Sequence, residues 1–156
     1  MRTLVLGLGN LLHEDDGVGV HAIERLRADP GVPSDVVLSD GGTLGLSLLP
    51  HISGFERLLV IDAIDAGEKP GVLIRLEGDA VQSLPGKPSV HQLGFADLMI
   101  AMRLTGDAPK EVVVIGVQPQ STGWSAELTT PVRKSLDGLL PVVVQQLHAW
   151  SMDCSR

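Results

Sequence analysis

The chain has 156 residues, 44% of them hydrophobic, and a formal charge of -7. That is apolar material for one core in a domain of common size, while the acidic balance argues against nucleic acid or an anionic membrane as the main partner, since both collect Lys and Arg clusters. Aromatic residues make up 3% with no Tyr, which argues against platforms for stacking bases as well, and the single Cys154 permits no intramolecular disulfide.

The first residues, MRTLVLGLGNLLHEDD, meet acids at once and have no small-residue cleavage site, unlike a signal peptide. No stretch reaches the ~20 apolar residues that a bilayer span needs. A soluble, cytoplasmic chain is expected, with a protein, a small molecule or a metal as its partner.

Thr3 to Leu8 reads as a buried strand that ends in Gly-Leu-Gly-Asn, a turn. Asp16 or Gly17 opens a helix in which Val18, Ala22, Ile23 and Leu26 keep helical spacing until Pro30-Gly31 stops it. Asp35 to Ser39 predicts a second strand, and Thr43 to Ser53 a second helix with Leu44, Leu48, Leu49 and Ile52 on one face. Leu58 to Ile61 is a third strand running into Asp62, and Val72 to Leu76, after a Lys-Pro-Gly turn, an edge strand. His91 to Gly106 is apolar almost all round, which predicts a well-buried helix with Gly106 as its C-cap. Glu111 to Val117 is the most strand-like run. Thr130-Pro131 then caps a long last helix with Val132, Leu136, Leu139, Val143, Leu147 and Trp150 in one stripe and a kink expected at Pro141.

Strands alternating with helices imply an α/β fold, a three-layer α/β/α sandwich with a mostly parallel twisted sheet of about five strands. Residues 1–150 are expected to form that single domain and 151–156 a disordered tail.

Ligands of such sheets bind beyond the carboxyl ends of the strands. There the chain places Asn10 to Asp16, then Asp40-Gly41-Gly42-Thr43, then Asp62 and Asp65, and then Gln118-Pro119-Gln120, with His91 at a helix start along the same rim. Each has a plain structural explanation. An acid at a helix start, Asp15 above all, reads first as a cap or dipole partner contributing ~0.3 to 1 kcal/mol. Asp40 can build a turn, and Gly41 or Gly42 can supply a positive φ. Asp62 is harder to explain that way, because a carboxylate at the end of the apolar strand LLVID needs a cation or a donor. Asp16, Asp62 and His91 together supply two carboxylates and an imidazole, a set suited to a divalent first-row metal with room for water or substrate. A dinucleotide-dependent oxidoreductase fits poorly: Gly7 and Gly9 lack the third glycine of the fingerprint, and Glu14, Asp15 and Asp16 occupy the place where a phosphate would sit.

These segments resemble the NiFe-hydrogenase maturation endopeptidases. The likeness runs through LVLGLGNLLHEDDGVGV, DGGTLGLSLL (Asp40 to Leu49), LLVIDAID (Leu58 to Asp65), HQLGFADLMIAMRLTG and GVQPQ (Gly116 to Gln120). The first motif alone is only moderately specific, because peptidyl-tRNA hydrolases also begin with a strand and GLGN; the ordered set, DGGT with HQLG in particular, is specific. The resemblance implies an enzyme that removes a C-terminal extension from the hydrogenase large-subunit precursor after nickel insertion. It also implies that nickel, presented by the substrate, is the recognition signal, although other divalent metals could occupy the site. The family's metal positions carry over as Asp16, Asp62 and His91, and some members have Glu in place of Asp16. DGGT carries over as Asp40, Gly41, Gly42 and Thr43, a substrate loop, and Gln118 joins it on the rim.

Two mechanisms are compatible with this pattern. The metal polarises the scissile carbonyl or a water, or it only docks the substrate while a carboxylate such as Asp40, Asp16 or Asp62 activates water as in acid proteases. A non-catalytic nickel escort using the same Asp16, Asp62 and His91 is the alternative, disfavoured by the lack of soft ligands. A monomer that meets its client transiently is expected.

Overall fold

The structure, a computed structural model, describes residues 1–83 and 90–153, with only the backbone described at 90–94. Five strands form one open sheet: β1 (Thr3–Leu8), β2 (Val36–Gly42), β3 (Arg57–Ala63), β4 (Leu73–Glu77) and β5 (Glu111–Val117), in the order β2-β1-β3-β5-β4. The four strands β2, β1, β3 and β5 run parallel, and β4 closes one edge antiparallel to β5. The expected mostly parallel sheet and its edge strand are therefore both present, and the direction of that edge strand is a finding of the structure.

Parallel strands covered on two sides must be apolar at every position, with alternate residues facing opposite layers. Val5, Leu59, Ile61, Val113 and Ile115 face one layer, built from α1 (Val18–Arg27) and α4 (Thr130–Asp153). Leu4, Leu6, Leu58, Val60 and Val114 face the other, where α2 (Leu49–Ile52) and α3 (Val90–Thr105) pack. The stripe Val132, Leu136, Leu139, Val143, Leu147 and Trp150 of α4 is buried throughout, as its spacing requires.

Three elements differ from expectation. The second helix is only a 3-10 turn (Gly45–Leu48) followed by the single turn α2. Gly45 adopts φ +53 and Pro50 lacks an amide, so a long helix cannot propagate there. Only Leu48 and Ile52 of its expected face are buried, with Leu49 half-buried and Leu44 exposed. Helix α3 is not buried all round, since Ile100 and Leu104 are exposed. The last helix runs without interruption through Pro141 to Asp153, so the tail expected from residue 151 cannot begin before 154; Cys154 lies outside the described residues.

Chain ends of the helices follow local chemistry. Gly106 adopts φ +75, its N–H donates to the Arg103 carbonyl at 3.2 Å, and the Asp107 N–H reaches back to Met102 at 2.9 Å, the paired bonds of a Schellman stop. Helix α4 is capped one residue earlier than expected: the Thr129 carbonyl accepts from the Arg133 N–H at 2.9 Å, so Thr129 and not Thr130 stands at the cap position. No helix among the described residues is long and apolar enough to cross a membrane.

Helix α1 lies against the sheet at backbone distance, and glycines make that possible. A Cβ on Gly19 would stand 2.2 Å from the Ile61 carbonyl oxygen and 2.4 Å from that of Leu8, and one on Gly7 would stand 2.3 Å from the Gly19 oxygen. The glycines of GLGN and DGVG thus bring a helix onto β1 and β3; they are packing devices and no phosphate cradle.

Candidate active site

The chain passes from β1 through α1 to β2 on one side, then crosses to β3 on the other, so the progression of the strand order reverses between the parallel neighbours β1 and β3. That switch point leaves a crevice at the carboxyl ends of the strands. In the register, Gly7 pairs with both Asp40 of β2 and Ile61 of β3, which puts Asp40 and Asp62 at the same edge, on strands flanking β1.

The first loop supplies the third acid. Asn10 donates its N–H to Asp16 Oδ2 at 3.0 Å and accepts the Leu12 N–H on its own side chain at 2.9 Å, so the loop curls back over the end of β1. Gly9, at φ +126, is where a Cβ would collide with the Asp16 carbonyl oxygen at 1.8 Å. Its N–H joins the neighbouring loop by donating to the Gly42 carbonyl at 2.9 Å. A pocket of about 240 Å³ opens between these loops, lined by Gly9, Asn10, Leu11, Asp40, Gly42 and Thr43.

Asp16, Asp40 and Asp62 each have one carboxylate oxygen held by a backbone N–H. Asp16 takes Asn10, Asp40 takes Gly42 at 2.8 Å, and Asp62 takes Ala63 at 2.7 Å. Such bonds set the orientation of a carboxylate in advance of any ligand. They differ in depth: Asp62 is 3% exposed, Asp16 is half-buried, and Asp40 stands open to solvent. Gly41, by contrast, is buried against Leu6, Leu8 and Leu48 with no room for a side chain, and Gly42 adopts φ +49. The loop therefore turns sharply while Asp40 and Thr43 face out.

Asp15 is a different kind of residue. It is wholly buried, and its carboxylate accepts four bonds: Gln120 N–H at 2.8 Å, Ser121 N–H at 3.2 Å, Thr129 N–H at 2.8 Å and Thr129 Oγ1 at 2.7 Å. It staples the first loop to the segment 118–129, and no sequence signal links residues so far apart. That assigns the two acids of the pair: Asp15 to structure, Asp16 to the rim. Glu14 completes the strained corner at φ +47, with Oε2 buried and without a hydrogen-bond partner among the described residues.

Gln118 is on the same rim but turned inward. Its Oε1 accepts the Ala66 and Glu68 N–H groups at 2.8 and 3.1 Å, and its Nε2 donates to Asp65 at 3.0 Å and to the Pro119 carbonyl at 3.3 Å. Its contacts brace the loop after β3, to which Asp65 also belongs. His91 lies in the first turn of α3, and its side chain is outside the described residues. No group of three His, Cys, Asp or Glu side chains among the described residues is placed to hold a metal. Asp16 and Asp62 are thus the described part of the expected ligand set.

An open α/β sheet with oriented acids at its switch point is the frame of a ligand-binding or catalytic α/β protein, and comparison with known proteins specifies which one. Residues 20–146 match the HycI hydrogenase maturation protease family, and the chain belongs to that family. It is 41% identical to the hydrogenase expression/formation protein HupD of Bradyrhizobium diazoefficiens, over 99% of this chain and 82% of that one. Against the hydrogenase 2 maturation protease of Escherichia coli it is 38% identical, over 95% and 92% of the two chains. The solved structure of the E. coli hydrogenase maturating endopeptidase HybD superposes with a TM-score of 0.90 at 37% identity, covering 96% of this chain and 93% of that one. The protein is a hydrogenase maturation protease by family, with the HybD type of α/β fold.

Proposed function

We propose that this endopeptidase removes the C-terminal extension of a NiFe-hydrogenase large-subunit precursor in the cytoplasm, after nickel has been inserted. The observation that carries the reading is the set of three backbone-oriented acids, Asp16, Asp40 and Asp62, on one edge of the sheet in a chain of this family. Nickel enters as part of the substrate. Asp62, sunk at the end of β3, and Asp16, on the loop over β1, are carboxylate ligands for it, and His91 adds an imidazole. This donor chemistry suits a borderline divalent ion and leaves coordination positions for the groups the precursor already provides.

The depth of the acids supports a division of labour. Asp40 faces solvent in the pocket and accepts a proton from a water, whose oxygen adds to the scissile carbonyl. The C–N bond then breaks and the proton passes to the leaving amine. Asp16 and Asp62 hold the nickel-bearing segment so that this carbonyl lies against Asp40, with DGGT as the substrate loop and Gln118 holding the loop after Asp62 in place. The reading is tested by intact mass spectrometry of nickel-loaded precursor incubated with the wild type, Asp62→Ala and His91→Ala. A fixed C-terminal mass lost with the wild type alone is the expected result. Nickel retained in a complex without any mass change would favour an escort protein instead.

A further inference from the structure

Among the described residues eleven large apolar side chains are exposed, and five of them belong to the pocket wall or to the segments that adjoin it: Leu11 lines the pocket, Leu12 follows it, Leu44 and Leu46 come just after the lining residue Thr43, and Trp124 sits on the loop bonded to the first one. Trp124 joins from the far loop. The Ser125 N–H donates to the Leu12 carbonyl at 3.0 Å and the Glu14 N–H to the Ser125 carbonyl at 2.8 Å, which sets Trp124 beside the first loop. Its ring is tilted on His13 with centroids 4.3 Å apart, while 80% of the residue remains exposed.

An indole left in water forgoes the burial of a side chain that dominates interface energetics, and Trp is the residue type most enriched among interface hot spots. Here it is also rigidly mounted. The buried Asp15 pins Gln120, Ser121 and Thr129 on either side of Trp124, which anchors both ends of its loop and reduces the ordering entropy that its contact would cost.

We infer that Leu11, Leu12, Leu44, Leu46 and Trp124 form the docking surface for the folded body of the precursor, an apolar collar that seats the client while its nickel-bearing segment enters the pocket. This rests on the function proposed above. The occupant follows from continuity: Leu11 belongs to both the pocket and the collar, so a protein that presents a segment to Asp40 brings its adjoining surface against the collar.

Single-turnover processing of nickel-loaded precursor at rising enzyme concentration separates docking from chemistry. Trp124→Ser and Leu46→Ser should each raise the half-saturating concentration by at least about tenfold while the saturated rate stays within about twofold, as loss of an interface anchor requires. Trp124→Phe should recover most of the affinity. Leu104→Ser and Met152→Ser, exposed apolar positions outside the collar, should leave both quantities unchanged. An unchanged half-saturating concentration in Trp124→Ser, or an equal rise in the two controls, overturns the collar while leaving the protease reading intact. If the wild type itself releases no C-terminal fragment, the protease reading fails and the collar falls with it.

Discussion

The Asp15 carboxylate grips Thr129 twice, at 2.7 Å from the hydroxyl and 2.8 Å from the amide, across 114 positions of sequence. Its neighbour Asp16 instead accepts from Asn10 on the rim. Adjacent acids should therefore fail in opposite ways. Asp15→Ala leaves three backbone N–H groups and a hydroxyl without their acceptor and should cost at least ~3 kcal/mol of stability, given the usual price of unsatisfied buried donors. Asp16→Asn keeps an oxygen for Asn10, should change stability by less than ~0.5 kcal/mol, and should abolish processing. Urea unfolding of both variants decides the matter: equal midpoints would remove the distinction.

Gly19 offers a steric test. A methyl there meets the Ile61 and Leu8 carbonyl oxygens at 2.2 and 2.4 Å, both backbone atoms that cannot swing away. Gly19→Ala should push α1 off the sheet and destabilise the fold by ~3 kcal/mol or more, a size expected of overpacking against backbone. Gly138, in the middle of α4 with nothing near its Cβ position, is the control. Gly138→Ala should stabilise by ~0.5 to 1 kcal/mol through helix propensity. Melting temperatures moving the same way would contradict the packing account.

At the opposite end of the sheet, Arg57 is 2% exposed and ties three elements together. Its Nε donates to Glu111 at 2.8 Å and its guanidinium reaches the Trp150 carbonyl, while the Trp150 indole N–H donates to the other Glu111 oxygen at 2.9 Å. Arg57→Ala should cost ~2 to 3 kcal/mol, less than a fully buried pair because Glu111 is half exposed. Activity per folded molecule should be retained, since the network is remote from the pocket. A variant of normal stability in chemical denaturation would refute the network's role.

Glu56 contributes acid sensitivity to the fold. Its hydrogen bond from the Lys110 ammonium, 2.8 Å away, and that cation's charge hold the carboxyl below its ordinary 4.5, against the opposing effect of burial; the Arg2 N–H and the N-terminal amino group add to the lowering. A lowered folded value means that the stabilisation is fully present above about pH 4.5 and is lost as pH falls through the folded value. The pair is solvent-accessible, so the effect should be small and weakened by salt. Glu56→Gln should melt slightly below the wild type at neutral pH, with the gap closing under acid; a gap that widens under acid would refute the linkage.

Much of this could be read from local pattern. The continuous apolar runs of β1, β3 and β5, the stripe of α4 and the Gly106 stop each depend on near neighbours in sequence, and they formed as read. The second helix did not, because helical spacing of leucines says nothing about whether Gly45 and Pro50 let the backbone follow it.

What the amino-acid sequence determined by itself was the sheet, its two covering layers and the acids at its carboxyl edge, since hydrophobic period and turn chemistry act over a few residues. Tertiary structure alone decided which acid of the Asp15-Asp16 pair is buried, why Gly7 and Gly19 are bare, and how Leu12 and Trp124 come to share a surface. Each of those answers depends on an atom supplied from far along the chain, and no local period encodes the partner that arrives only when the layers close.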